Sequence, residues 1–203
     1  MIHRYASILG AFSAATLALA ALPAFATSSS FAFKMVRNAA LPSACLPNAS
    51  GNVQIHEAGP VQVMTVEVKG LPPNTDFDFF VIQKPTATFG MSWYQGDIET
   101  NGKGRSVGVF IGRFSIETFV VAPGAEDAPL TFEDTPFPSV SPNPQTGPIQ
   151  MYHLGLWFNS PTDASNNSCP DTETPFNGEH NAGVQVLNTS NFPDLEGPLI
   201  NVQ

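Results

Sequence analysis

Gln62-Val63-Met64-Thr65-Val66-Glu67-Val68-Lys69-Gly70-Leu71-Pro72-Pro73-Asn74-Thr75-Asp76-Phe77-Asp78-Phe79 is the stretch from which the fold class follows. Met64, Val66 and Val68 alternate with Thr65, Glu67 and Lys69, which is the period of a strand with one buried and one wet face. Gly70 to Thr75 then breaks the strand, because two prolines cannot donate to a ladder and Asn74 suits a turn. Asp76–Gln83 is predicted as the return strand, with Phe77, Phe79 and Val81 inward and Asp76 and Asp78 on a solvated face. Phe80 and Ile82 make its far end apolar on both sides, the mark of a covered, central strand.

The same chemistry continues on both sides of this stretch. Strands begin near Val53, and Gly90–Thr100 and Lys103–Phe114 flank Asn101-Gly102, the dipeptide that suits a two-residue hairpin turn. Gly108 and Gly112 share a face with Phe110, which predicts a bulge or the close approach of another backbone. Ile116–Ala122 is a further β-branched and aromatic run. From residue 123 to 148 proline recurs every few residues with little periodicity, as in a long loop. Gln150–Phe158 returns to strand with both faces covered, Pro161–Asn167 is predicted as a short helical turn, and Val184–Leu187 as a last strand. Helical periodicity and internal repeats are missing. With 19 Pro, 16 Gly and 16 Phe among 203 residues, composition agrees with strands and ordered turns.

Residues 1–26 read as a signal peptide: His3 and Arg4, an apolar run from Ala6 to Leu22, then Ala24-Phe25-Ala26. An exported product meets an oxidising compartment, so Cys45 and Cys169 are predicted to form a disulfide. No segment after the leader approaches the ~20 apolar residues that cross a bilayer. The formal charge of −9 repels phosphate backbones, which argues against nucleic acid as a partner.

Met64 to Phe77, a strand followed by a Gly-Leu-Pro-Pro-Asn-Thr turn and an aromatic strand, resembles the corresponding part of fibronectin type III and related immunoglobulin-like modules. The resemblance covers these two strands and their turn, and it implies a topology without an activity. The immunoglobulin pattern of a tryptophan between two bridged core cysteines is not reproduced, since Cys45 and Cys169 lie outside the strands that would hold them. The whole chain is also similar to uncharacterised exported bacterial proteins, which implies a location and no role.

Residues able to carry chemistry are few. His56, His153 and His180, with Glu179, are the candidate metal ligands, because neutral imidazoles bind zinc or copper. Their scattered spacing leaves convergence to the fold. Asp76 and Asp78 lie about 6.6 Å apart along one strand, too close to flank a sugar bond from opposite sides. Phosphate-cradling glycine loops and His-Glu-x-x-His are missing from the sequence. Trp93 and Tyr94, beside Gln95 and Asp97, offer an aromatic surface, although neighbours on a strand face opposite ways and Trp93 suits the core.

The sequence therefore predicts an all-β protein, an antiparallel immunoglobulin-like β-sandwich with a long Pro-rich loop and one disulfide. Residues 27–52 form an N-terminal extension and residues 53–203 the sandwich domain, including the excursion at 123–148. The expected role is non-enzymatic: an extracellular or envelope-associated binding or structural module with an unidentified extracellular ligand or envelope component as partner, and no cofactor. The alternative is a metal-dependent enzyme or metal carrier built on His56, His153, Glu179 and His180.

Overall fold

The computed structural model describes residues 30–116, 119–124, 145–194 and 196–202. Residues 1–26, the predicted signal peptide, lie outside the described residues, as does most of the Pro-rich excursion. Eight strands carry the fold: β1 (Ser30–Arg37), β2 (Ser50–Ala58), β3 (Val61–Lys69), β4 (Phe77–Ile82), β5 (Ser92–Asp97), β6 (Arg105–Gly112), β9 (His153–Phe158) and β10 (Gln185–Asn188). Two more, β7 (Phe119–Gly124) and β8 (Gln145–Gln150), pair only with each other, and among the described residues the one α-helix is the short α1 (Pro161–Asn166).

All neighbours in the large sheet are antiparallel, in the order β5-β4-β9-β10-β1-β2-β3-β6. It comprises two four-stranded halves joined where Val36 and Arg37 of β1 meet Asn188 and Leu187 of β10. Its far edges, β5 and β6, approach one another: Phe79 stacks on Phe110 with ring centroids 5.0 Å apart. Gly96 of β5 admits the same ring, since a Cβ there would lie 2.9 Å from Phe110. One nearly closed sheet with a barrel-like seam thus stands where two immunoglobulin-like sheets were expected.

Inward alternation supplies the core. Phe33, Met35, Val53, Ile55, Met64, Val66 and Val68 come from one half, and Phe77, Phe79, Val81, Leu154, Leu156 and Phe158 from the other. Each fully buried side chain of this size contributes about 1.5–3 kcal/mol against exposure. The predicted alternation of β3, the covered far end of β4 and the covered faces of β9 are present, whereas the near end of β4, where Asp78 was expected on a solvated face, is buried as well. Also present are α1, with Ser160 as its N-cap and Pro161 in its first turn, and the last strand.

Several expectations are corrected. β4 does not return along β3 but crosses to the other half, between β5 and β9. Asn101-Gly102 does not close a two-residue hairpin, because β5 pairs with β4 and β6 with β3. Instead the turn docks on the Leu71–Thr75 loop: Asn74 N–H donates to Asn101 O at 3.2 Å and Thr100 N–H to Thr75 O at 2.9 Å. The β3–β6 register runs unbroken through Gly108 and Gly112, so these glycines mark neither a bulge nor the approach of another backbone; what lies close to them is the side-chain rings of Phe110 and Phe114. The ends of the Pro-rich excursion are strand, in β7 and β8, and Met151-Tyr152 separates β8 from β9.

The expected N-terminal extension holds a central strand, β1, whose Phe33 and Met35 are core residues. The following loop is tied back by Arg37, which donates to the carbonyls of Cys45 at 2.9 Å and Leu41 at 3.0 Å. Cys45 is joined to Cys169 just beyond α1, as predicted.

Candidate functional site

The outward face of β5, β4 and β9 is not bare. Register places Asp97, Asp78 and Trp157 side by side on one rung, Tyr94, Phe80 and Gly155 on the next, and Ser92, Ile82 and His153 on a third. Two connections cover these rungs. The β4–β5 loop is closed by Gln83 N–H to Met91 O and Lys84 N–H to Phe89 O, both 2.9 Å. Positive φ at Gly90 lets that loop pass over the Gln83 side chain. The other connection, Thr174–Ala182, is pinned by its own bridge and by Asn177, whose amide donates to Asn159 Oδ1 at 2.9 Å.

Phe80, Ile82, Trp157 and Ala182 thereby form a second, smaller apolar cluster outside the main core, with Phe89 packed against it. Gly155 makes room for it: a Cβ there would lie 2.3 Å from Trp157 Cζ3, so the indole lies across the glycine. Phe80 meets Trp157, Tyr94 and Phe176 edge-on at centroid distances of 5.3, 5.6 and 6.0 Å, and Phe89 meets Trp157 at 5.0 Å. Between the two connections runs a groove of about 440 Å³, walled by Phe80, Phe89, Trp157, Pro175 and Phe176 with Lys84, Thr88 and Ser92 as its polar groups. Phe176 is 53% exposed at its rim.

Beside the groove the electrostatics are unusual. Asp78, predicted on a solvated face, is only 1% exposed. Burial, and after it the Asp97 and Asp76 carboxylates, push its carboxyl up to about 7, with His180 opposing the rise. Asp76 is raised as well, by burial and then Asp97, against a hydrogen bond from Phe77 N–H. Tyr94 donates its hydroxyl to Asp97 Oδ1 at 2.6 Å, and burial together with that bond holds the phenol protonated. An aromatic wall bordered by a neutralisable carboxyl is suited to hold a ring-bearing molecule.

The histidines predicted as metal ligands occupy separate settings. His56 lies on β2 opposite Val63. His153 is fully buried, with Nδ1 2.8 Å from Thr189 Oγ1 and Nε2 3.2 Å from the Pro193 and Asp194 carbonyls. Carbonyls only accept, so Nε2 carries the proton and Nδ1 accepts from Thr189; burial lowers the ring's affinity for a second proton. His180 and Glu179 belong to the Thr174–Ala182 connection, where both backbone N–H groups donate to Asn177 Oδ1. Among the described residues no group of three or more His, Cys, Asp or Glu converges to hold a metal ion.

Trp93 turns inward against the main core while Tyr94, 41% exposed, turns outward, as strand alternation requires. The groove residues themselves escaped sequence reading. Their signal was the apolar outward face of β4 and β9, where Phe80 and Trp157 stand in place of polar residues. Comparison with known proteins returns no matching family model and no matching curated protein.

Proposed function

We propose that the protein is an exported, non-enzymatic binding module, extracellular or held at the cell envelope, whose outer groove takes a small, apolar, ring-bearing ligand. The observation that carries this reading is the aromatic wall: four rings gathered outside the core around an open groove, where a sheet's outer face is ordinarily polar. The Cys45–Cys169 bond supports a location away from reducing thiols. No described helix is long and apolar enough to cross a membrane. The reading needs the antiparallel frame and the disulfide, and does not depend on an immunoglobulin-like outline.

N-phenyl-1-naphthylamine, a neutral fluorescent probe, tests it. Titration of the protein should give saturable enhancement, weakened at least about tenfold, or about 1.4 kcal/mol, by Phe176→Ala and by the groove-filling Ser92→Trp. Identical curves for wild type and both variants would overturn the proposal. Stoichiometric zinc or copper in the purified protein, lost in His56→Ala/His180→Ala, would replace it with the metal-dependent reading.

A further inference from the structure

The other half of the sheet carries a cleft of opposite character, independent of the groove. It measures about 310 Å³ and is bordered by Lys34, Ser50, Asn52, Glu67, Lys69 and Arg105 on the outward face of β1, β2, β3 and β6. Register fixes their layout: Lys34 stands opposite Asn52, which stands opposite Glu67, while Lys69 lies between Ser50 and Arg105. In a chain with 8 basic and 17 acidic residues, three of the basic ones meet at this cleft against a single acid.

Two features separate it from an ordinary solvated face. Lys69 and Arg105 are direct cross-strand partners, an arrangement that destabilises a sheet when both carry the same charge. Elsewhere arginine is committed to structure: Arg37 donates to the Cys45 and Leu41 carbonyls and Arg113 to Pro60 O. By contrast, among the described residues no hydrogen bond or ion pair engages the side chains of Lys34, Lys69 or Arg105.

We propose that this cleft is a binding site for a dianionic oxyanion group: inorganic phosphate or sulfate, or a phosphomonoester borne on a larger molecule. The Arg105 guanidinium supplies a planar fork for two oxygens, and Lys69 and Lys34 supply point charges. Ser50 and Asn52 add neutral donors. Glu67 keeps the site selective for groups carrying more than one negative charge, because it cancels one of the three cations.

Isothermal titration of the protein with inorganic phosphate and sulfate at low ionic strength, with chloride at matched ionic strength as reference, tests the site. Saturable binding should weaken at least tenfold in Arg105→Gln and Lys69→Gln, tighten in Glu67→Gln, and stay unchanged in Lys84→Gln, which removes a cation of the other groove. Thermal melts supply a second readout: without ligand, Arg105→Gln should melt above wild type because the like-charge pair is gone, and phosphate should raise the melting temperature of wild type by more than that of Arg105→Gln. Co-sedimentation with vesicles containing phosphatidic acid, whose headgroup is a phosphomonoester, separates the sources. Retention lost in the same variants assigns a lipid headgroup, whereas phosphate binding without retention assigns a soluble ligand. Chloride acting as well as phosphate, or affinities indifferent to Arg105→Gln and Glu67→Gln, would overturn the proposal.

Discussion

Asp78 and Trp157 stand directly opposite one another across the β4–β9 ladder, and each buries a polar atom, Oδ2 and Nε1 respectively, without a hydrogen-bond partner among the described residues. An ionised carboxylate in such a place bears the cost of desolvation without compensation, and Asp97 and Asp76 add like charge. The folded state therefore prefers Asp78 protonated.

Stability should fall as pH rises through the range that Asp78 governs. Its folded value of about 7 lies above the ordinary 3.8, so the native state holds the proton more tightly than the unfolded chain between the two. The contribution is fully present below the ordinary value and lost as pH rises through the folded one. At about 1.4 kcal/mol per pH unit over the roughly three units between the two values, the loss amounts to roughly 4 kcal/mol by pH 8. His153, whose protonation is disfavoured by burial, works in the opposite sense below its ordinary value of 6.5. The difference between wild type and Asp78→Asn isolates the carboxyl. Urea midpoints from pH 4.5 to 8 should show the variant gaining on wild type as pH rises, and parallel profiles would refute the assignment.

Gly155→Ala tests how the aromatic wall is built. The new methyl would lie 2.3 Å from Trp157 Cζ3 and 2.5 Å from Cη2, so the indole must swing away from Phe80 and Phe89. Overpacking of this kind costs about 1–3 kcal/mol. The urea midpoint should drop, tryptophan emission should shift to the red, and N-phenyl-1-naphthylamine should bind more weakly. A variant with wild-type emission and probe affinity would show that the indole does not lie across Gly155.

What the sequence made legible was local. Alternation from Met64 to Val68 and the double covering of the far end of β4 follow from single residues and their spacing, and both are found. Phe31, Phe33 and Met35 alternate in the same way within the segment expected to be an N-terminal extension, where the structure has β1. Partner choice was not legible, because a turn dipeptide such as Asn101-Gly102 specifies a reversal of the chain and not which edges its arms join. The groove was harder still. Phe80 and Trp157 read as covered residues, while what covers them comes from loops distant in sequence, at residues 83–91 and 174–182.

Removing the disulfide should weaken the fold without altering its strands. Cys45 and Cys169 are 124 residues apart in sequence, and in the chain-entropy account a loop of that order restricts the unfolded state by about 4–5 kcal/mol. Cys45→Ala/Cys169→Ala should keep the far-ultraviolet spectrum of the wild type while its urea midpoint falls. An unchanged midpoint would mean that Arg37 and the α1 region hold the Asn38–Ala49 loop without help from the bond.

The turn after β5 offers a test that sets the expected hairpin against the observed docking. A two-residue turn at Asn101-Gly102 would require positive φ at Gly102. In the structure the positive φ of +64° falls at Gly104, where a Cβ would lie 1.9 Å from the Leu71 carbonyl oxygen, whereas the nearest atom to a Cβ on Gly102 is Asn74 Oδ1 at 3.9 Å. Close backbone contact is what lets Gly104 N–H reach Asn101 O at 2.9 Å and Leu71 N–H reach Gly104 O at 3.3 Å, joining the turn to the β3–β4 loop. Gly104→Ala combines left-handed strain with a backbone clash and should cost about 2 kcal/mol or more. Gly102→Ala has neither defect and should change stability by less than about 1 kcal/mol. Paired urea titrations decide the matter: if Gly102→Ala proves the more damaging, the arms of this turn join each other and not the β3–β4 loop.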